Sequence, residues 1–162
     1  MSVLVYIQNF NGKLKKQNLE LASYASKIAS SKSENLVGII MGDIDNSEIE
    51  KLAKYGVSKV LKAGDISLNT RINSVFTSVI EKAVINENIN TIIFPDNNEG
   101  RAIAPRLSVK LKAGFVSGVM ELPTSYDPFM VSKRAFSGKA FANVKVNSPI
   151  KILSLMNNSF GL

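Results

Sequence analysis

Arg134-Ala-Phe-Ser-Gly-Lys-Ala-Phe-Ala-Asn-Val-Lys-Val146 decides the fold, because apolar and polar residues alternate along it on both sides of a glycine. Period-two alternation around such a turn is the pattern of two short strands. Residues 129–136 already alternate, residues 115–122 form a run bounded by Gly114 and Pro123, and residues 150–155 close the set. With connections this short, antiparallel pairing is the economical arrangement.

Upstream the rhythm is different: four units of strand followed by helix. Residues 3–8 are an apolar run ending in Asn9-Phe-Asn-Gly12, a buried strand closed by a turn. Leu19, Leu21, Ala22, Ala25, Ile28 and Ala29 then recur at helical spacing, with Asn18 placed to cap them. Residues 36–41 form the second strand, and a short helix over 47–55 opens on Ser47 and Glu50 at capping-box spacing. Gly56 suits the left-handed residue after a helix, and residues 57–61 form the third strand. Residues 70–86 carry the clearest amphipathic helix, and residues 91–94, ending at Pro95, are a wholly apolar fourth strand suited to a sheet covered on both faces. A fourth helix is expected over 102–112, where Pro105 is tolerable only near the first turn.

Helices between buried strands imply right-handed crossovers, hence an α/β fold: a doubly wound, mostly parallel sheet with additional antiparallel strands near the C-terminus. Its 162 residues match one domain spanning 1–162. Ligands in such sheets sit beyond the carboxyl ends of the strands. The candidate loops are 9–12, 42–46 and 96–100.

Composition narrows the chemistry. The chain has no cysteine and no histidine, which removes thiolate chemistry and the commonest general base. A net charge of +7 invites a nucleic-acid reading. The cations are scattered, however, with no basic block interleaved with aromatics, and a solvated basic surface or an acidic protein partner fits better. No apolar run approaches the roughly 18 residues that span a bilayer, so membrane insertion is not expected. Met1-Ser-Val-Leu-Val-Tyr-Ile7 lacks a basic leader and reads as a first strand, with the cytoplasm the expected location.

Neither a phosphate loop nor a Gly-x-Gly-x-x-Gly fingerprint is present. The nearest feature is Asn97-Asn-Glu-Gly-Arg101, whose helix-start amides could hold an anion with Arg101 and Arg106. Equally, Gly100 could ease a tight turn while the arginines reach carboxylates. Asp43 and Asp45 resemble the start of a calcium loop, but Glu48 and Lys54 stand where Gly and Glu are required. Ser137-Gly138-Lys139 lies between strands and reads as a turn with Gly138 at positive φ. Phe136, Phe141 and Val144 read as core.

Taken in order, Ser2-Val-Leu-Val-Tyr-Ile7, Tyr55-Gly-Val-Ser-Lys-Val60, Gly100-Arg-Ala-Ile-Ala-Pro-Arg106 with Lys110-Leu111, Phe136-Ser-Gly-Lys-Ala140, Ile150-Lys-Ile-Leu-Ser154 and Asn158-Ser-Phe160 resemble the N-terminal domain of the electron transfer flavoprotein alpha subunit. The resemblance covers essentially the whole chain. It implies a Rossmann-like fold similar to the adenine nucleotide alpha hydrolases, with the nucleotide pocket generally unused in this subunit. It further implies a heterodimer with a beta subunit that holds AMP or a second FAD, and dehydrogenases as electron donors to an FAD in the alpha subunit's C-terminal domain. Nothing follows Leu162, so no cofactor is expected in this chain by itself and no catalytic residue is assigned. The resemblance makes Gly100, Arg101, Pro105 and Arg106, with Ser137, Gly138 and Lys139, candidates for partner contact or anion binding. A free-standing module binding AMP or ATP is the alternative.

Overall fold

The computed structural model describes residues 1–65, 68 and 70–161. Strands β1 (Ser2–Ile7), β2 (Asn35–Met41), β3 (Lys59–Ala63) and β4 (Ile89–Pro95) run parallel in the order β3-β2-β1-β4. Helices α1 (Lys16–Ser31), α2 (Asn46–Ala53) and α3 (Asn73–Asn86) link them in turn, and α4 (Asn98–Leu111) follows β4. Strand order therefore reverses between β1 and β4. That is where a crevice opens beyond the strand ends.

Period-two geometry sends alternate β1 side chains to opposite faces. Val3, Val5 and Ile7 join Leu21, Ala25 and Ile28 of α1 and Leu52 of α2 in one core. Leu4 and Tyr6 join Phe76 and Ile80 of α3 and Ile103 and Leu107 of α4 in the other. Each fully buried side chain of this size is worth about 1.5–3 kcal/mol. Two-sided burial is thus what the unbroken apolar runs encode.

The remaining strands are β5 (Gly114–Val119), β6 (Ser125–Tyr126), β7 (Phe129–Ala135), β8 (Ala140–Lys145) and β9 (Lys151–Leu155). As expected, β7 pairs antiparallel with β5 and β8, and it also pairs antiparallel with the two-residue β6, which the sequence pattern does not mark. β9 departs from the expectation. It inserts between β4 and β5, parallel to both. Ile152 enters one core while Leu153 and Leu155 enter the other, so the strand needs cover on both faces and takes an interior place.

Four local expectations change. Asn18 is not a cap: α1 starts two residues earlier, and the buried Asn18 amide accepts from the Gln8 N–H (3.2 Å) and donates to the Gln8 carbonyl (2.8 Å), tying α1 to the end of β1. Ser47 lies inside α2, which is entered from Asp45 without a side-chain cap, and no capping box forms. Helix α4 begins at Asn98, since the Asn97 side-chain oxygen Oδ1 accepts from the Gly100 N–H at 3.0 Å. Pro105 consequently falls within the helix, on its exposed side, where solvent can serve the carbonyl that loses its intrahelical partner. Finally, Phe136 and Phe141 are 84% and 69% exposed. Phe141 lies on the exposed face of β8, whose residues alternate half-buried and exposed, and Phe136 lies in the turn between β7 and β8.

Candidate functional site

Three strand ends build the crevice. Asn9, just after β1, donates to the carbonyls of Met41 (3.1 Å) and Asp43 (2.7 Å) and accepts from the Gly12 N–H (2.7 Å). One amide thereby fixes the first loop to the second. Asn11 and Gly12 turn through left-handed φ values of 52° and 81°, a conformation in which glycine is unstrained. The cavity so enclosed measures about 330 Å³ and is lined by Tyr6, Asn9, Met41, Arg71, Phe76 and Glu99, among others.

Its inner wall is a hydrogen-bonded network centred on Glu99, in the first turn of α4. The Glu99 carboxylate accepts from the Tyr6 hydroxyl and from Gln8 Nε2 at 2.6 Å, and it pairs with Arg71 at 3.3 Å. Gln8 Oε1 accepts in turn from Asn97 Nδ2 at 2.8 Å, and Arg71 donates to the Asn9 carbonyl at 2.9 Å. The Glu99 side chain is only 8% exposed. Burial first, and then the neighbouring Glu99 charge, push the Tyr6 phenol far above its ordinary range, so it is a donor at any physiological pH.

A second carboxylate adjoins this network. Asp96 accepts from Arg101 Nε (3.0 Å) and Nη2 (3.3 Å) and from the Ser154 hydroxyl (3.3 Å). The bond to Asp96, together with its charge, raises the basicity of the Arg101 guanidinium. Of the two openings the sequence left at this loop, the arginine reaching a carboxylate is the one found for Arg101.

Gly100 is required by space. A Cβ there would stand 1.9 Å from the Pro95 carbonyl oxygen, because the first turn of α4 lies directly against the end of β4. Pro105 and Arg106 are exposed further along α4. Ser137, Gly138 and Lys139 lie elsewhere, on the β7–β8 turn, with β9 and β5 intervening in the sheet between β4 and β7. The structure thus places Gly100 and Arg101 in the first turn of α4 beside the crevice and leaves the hairpin triad outside it. Gly138 does adopt positive φ, at 86°.

Sequence reasoning missed Tyr6, Gln8 and Arg71. Nothing marks Arg71 in one dimension, since it precedes α3 and meets Glu99 only through the fold. Gln8 carries a weak signal: it is a polar residue that ends an apolar strand at the switch point. Among the described residues no cluster of three or more Asp or Glu side chains could hold a metal ion. Nor is any described helix long and apolar enough to cross a membrane.

The sequence profile of the electron transfer flavoprotein domain matches residues 3–162. The chain is 26% identical to the electron transfer flavoprotein subunit alpha of Bacillus subtilis over 143 residues, covering 88% of this chain and 44% of that protein. It is 26% identical to the acryloyl-CoA reductase electron transfer subunit beta of Anaerotignum propionicum, covering 79% of this chain and 35% of that one. It is 23% identical to the lactate dehydrogenase (NAD(+),ferredoxin) subunit LctC of Acetobacterium woodii, covering 88% and 34%. The chain therefore spans less than half the length of the curated relatives it matches. A two-sided parallel sheet with a C-terminal antiparallel hairpin, matched by the profile along essentially all of its length, makes this chain a member of the electron transfer flavoprotein domain family, of the alpha-subunit type.

Proposed function

We propose that this chain is the scaffold part of an electron transfer flavoprotein alpha subunit: it packs on a beta subunit and supports the region that carries FAD, without performing chemistry itself. Electrons would pass from dehydrogenases through the assembled protein, and the cytoplasm is the compartment this reading assigns. AMP or a second flavin would belong to the beta subunit.

One observation carries the reading. The place where a doubly wound sheet usually receives a phosphate, at the first turn of the helix after a central strand, is filled by this chain's own Glu99. The donors that would greet a ligand, Tyr6, Gln8 and Arg71, already serve that carboxylate. A phosphate oxyanion there would have to compete with the Glu99 and Asp96 carboxylates for the Arg71 and Arg101 guanidiniums that already pair with them. The residues present therefore do not fit a nucleotide phosphate, and no step is derived through one. The relatives are named as electron-transfer subunits, which supplies the positive half of the reading.

Calorimetric titration of the purified chain with AMP and with FAD should give no binding heat, while mixing with the cognate beta subunit should give a co-eluting complex on size exclusion. Tight AMP binding weakened by Arg101→Ala would instead establish a nucleotide-binding module. Separate elution of the two subunits would sink the scaffold reading.

A further inference from the structure

The β7–β8 hairpin combines three features that no core role explains. First, Phe136 and Phe141 are among the most exposed large apolar side chains described. Second, Phe136 and Ser137 hold φ values of 49° and 52°, followed by Gly138 at 86°. Left-handed backbone is unfavourable by roughly 1–2 kcal/mol for each non-glycine residue, and a bulky aromatic is an unusual occupant. Third, the charge is one-sided: from residue 128 to 161 the chain carries Lys133, Arg134, Lys139, Lys145 and Lys151 and no acidic residue.

Register arranges these features on one face. Arg134 pairs across from Phe141, Ser132 from Asn143 and Met130 from Lys145. Because side chains alternate, Phe141, Asn143 and Lys145 share the exposed face of β8, while Ala140, Ala142 and Val144 turn to the half-buried side. Phe136 stands at the tip beside Lys139. Among the described residues β8 has no partner on its outer edge, so a row of backbone donors and acceptors is available as well.

We propose that this hairpin tip is a docking element for a protein partner that offers an apolar recess rimmed by carboxylates, with Phe136 and Phe141 as anchors and Arg134, Lys139 and Lys145 as the cationic rim. Charge complementarity selects the occupant. A second copy would set the three rim cations Arg134, Lys139 and Lys145 against the same three, whereas an acidic rim would meet them favourably and hasten encounter. Two aromatic rings ringed by a few cations match the anatomy of a protein interface, in which buried aromatics and arginines dominate the energy. A nucleic acid would be held by phosphate contacts and would not require the rings to be held out by unfavourable backbone.

The proposal rests on the two-subunit reading above, and the probe is the cognate beta subunit. Affinity is measured by fluorescence titration for the wild type, for Phe136→Ser/Phe141→Ser, for Lys139→Glu, and for a control, Ile85→Ser/Val109→Ser, which alters exposed apolar residues on α3 and α4. Far-ultraviolet circular dichroism checks that each folds. The double phenylalanine variant should bind at least roughly tenfold more weakly, from the apolar area that two rings bury. Lys139→Glu should lower affinity most at low salt, and the control should match the wild type. If no protein binds, the two-subunit reading falls and this proposal with it. If the wild type and the hairpin variants bind equally well, the hairpin proposal alone is overturned. It is also overturned if the hairpin variants lose binding to a duplex oligonucleotide while keeping the beta subunit.

Discussion

Replacing Gly100 by alanine tests the contact that shapes the crevice. The added methyl would sit 1.9 Å from the Pro95 carbonyl oxygen, 3.1 Å from its carbon and 3.6 Å from Phe94 Cβ. The obstacle is backbone, so no side-chain rotation relieves it. Reaching an ordinary separation requires α4 and β4 to part by about 1.5 Å, and interior packing resists such shifts. β4 is held by β1 and β9 on its two sides, so α4 must move. Its first turn carries the Asn97 cap on Gly100 and the Glu99 bonds to Tyr6 and Gln8. Overpacking of this kind costs about 1–3 kcal/mol, a lost cap about 1 kcal/mol, and each weakened hydrogen bond about 0.5–1.5 kcal/mol. Alanine returns about 1 kcal/mol through helix propensity. The expected net loss is about 3 kcal/mol, which for a chain of this size lowers Tm by roughly 6–12 °C. Thermal and urea unfolding of Gly100→Ala measure it, with Gly64→Ala as a control, since a Cβ at Gly64 approaches nothing closer than a flexible lysine at 3.6 Å. A Gly100→Ala chain as stable as the wild type would refute the close approach, and with it the argument that glycine is there for space.

Alkaline pH should destabilise the protein through its buried phenols. Burial chiefly raises both Tyr6 and Tyr24 far above their ordinary range, so above pH ~10 the unfolded chain releases protons that the folded one retains. Stability is therefore fully present below that pH and falls as pH rises, by about 1.4 kcal/mol per pH unit for each phenol; urea unfolding between pH 9 and 11 should show a shallower decline in Tyr24→Phe than in the wild type. At the other end of the chain, the buried Glu20 carboxylate accepts the backbone N–H groups of Asn158 (3.1 Å), Ser159 (2.9 Å) and Phe160 (2.9 Å). Glu20→Ala should free these amides, raising their hydrogen exchange and removing about 1–3 kcal/mol of stability, and unchanged protection at residues 158–160 would contradict the clasp.

The elements whose side chains bury on two faces were legible in the sequence, because periodicity is a local record of burial. β1, β2 and β4 are unbroken apolar runs, and the turn at Gly138 follows from local chemistry alone. What could not be read was any feature fixed by a partner distant in sequence. Asn18 looks like a cap because caps are chosen from the same polar residues that bridge strands, and only the fold shows that Gln8 is its partner. The parallel place of β9 was hidden for a related reason. The short connection before it favours antiparallel pairing, but the cover needed by Ile152 and Leu153 on opposite faces decides the outcome.

Phe136 and Phe141 mark the limit of the same logic. Their alternation is that of core residues, and periodicity alone cannot say which face of a strand is covered. The core prediction fails for Phe136 and Phe141, while Val144 does pack against the core, and at Phe136 and Ser137 the backbone takes two consecutive left-handed non-glycine conformations. Departures from local consistency concentrate where selection acts on something other than folding. In the crevice the Glu99 carboxylate is instead met from within the chain by Tyr6, Gln8 and Arg71. The exposed hairpin, and not the internally satisfied Glu99 network, is therefore the first place to test for docking.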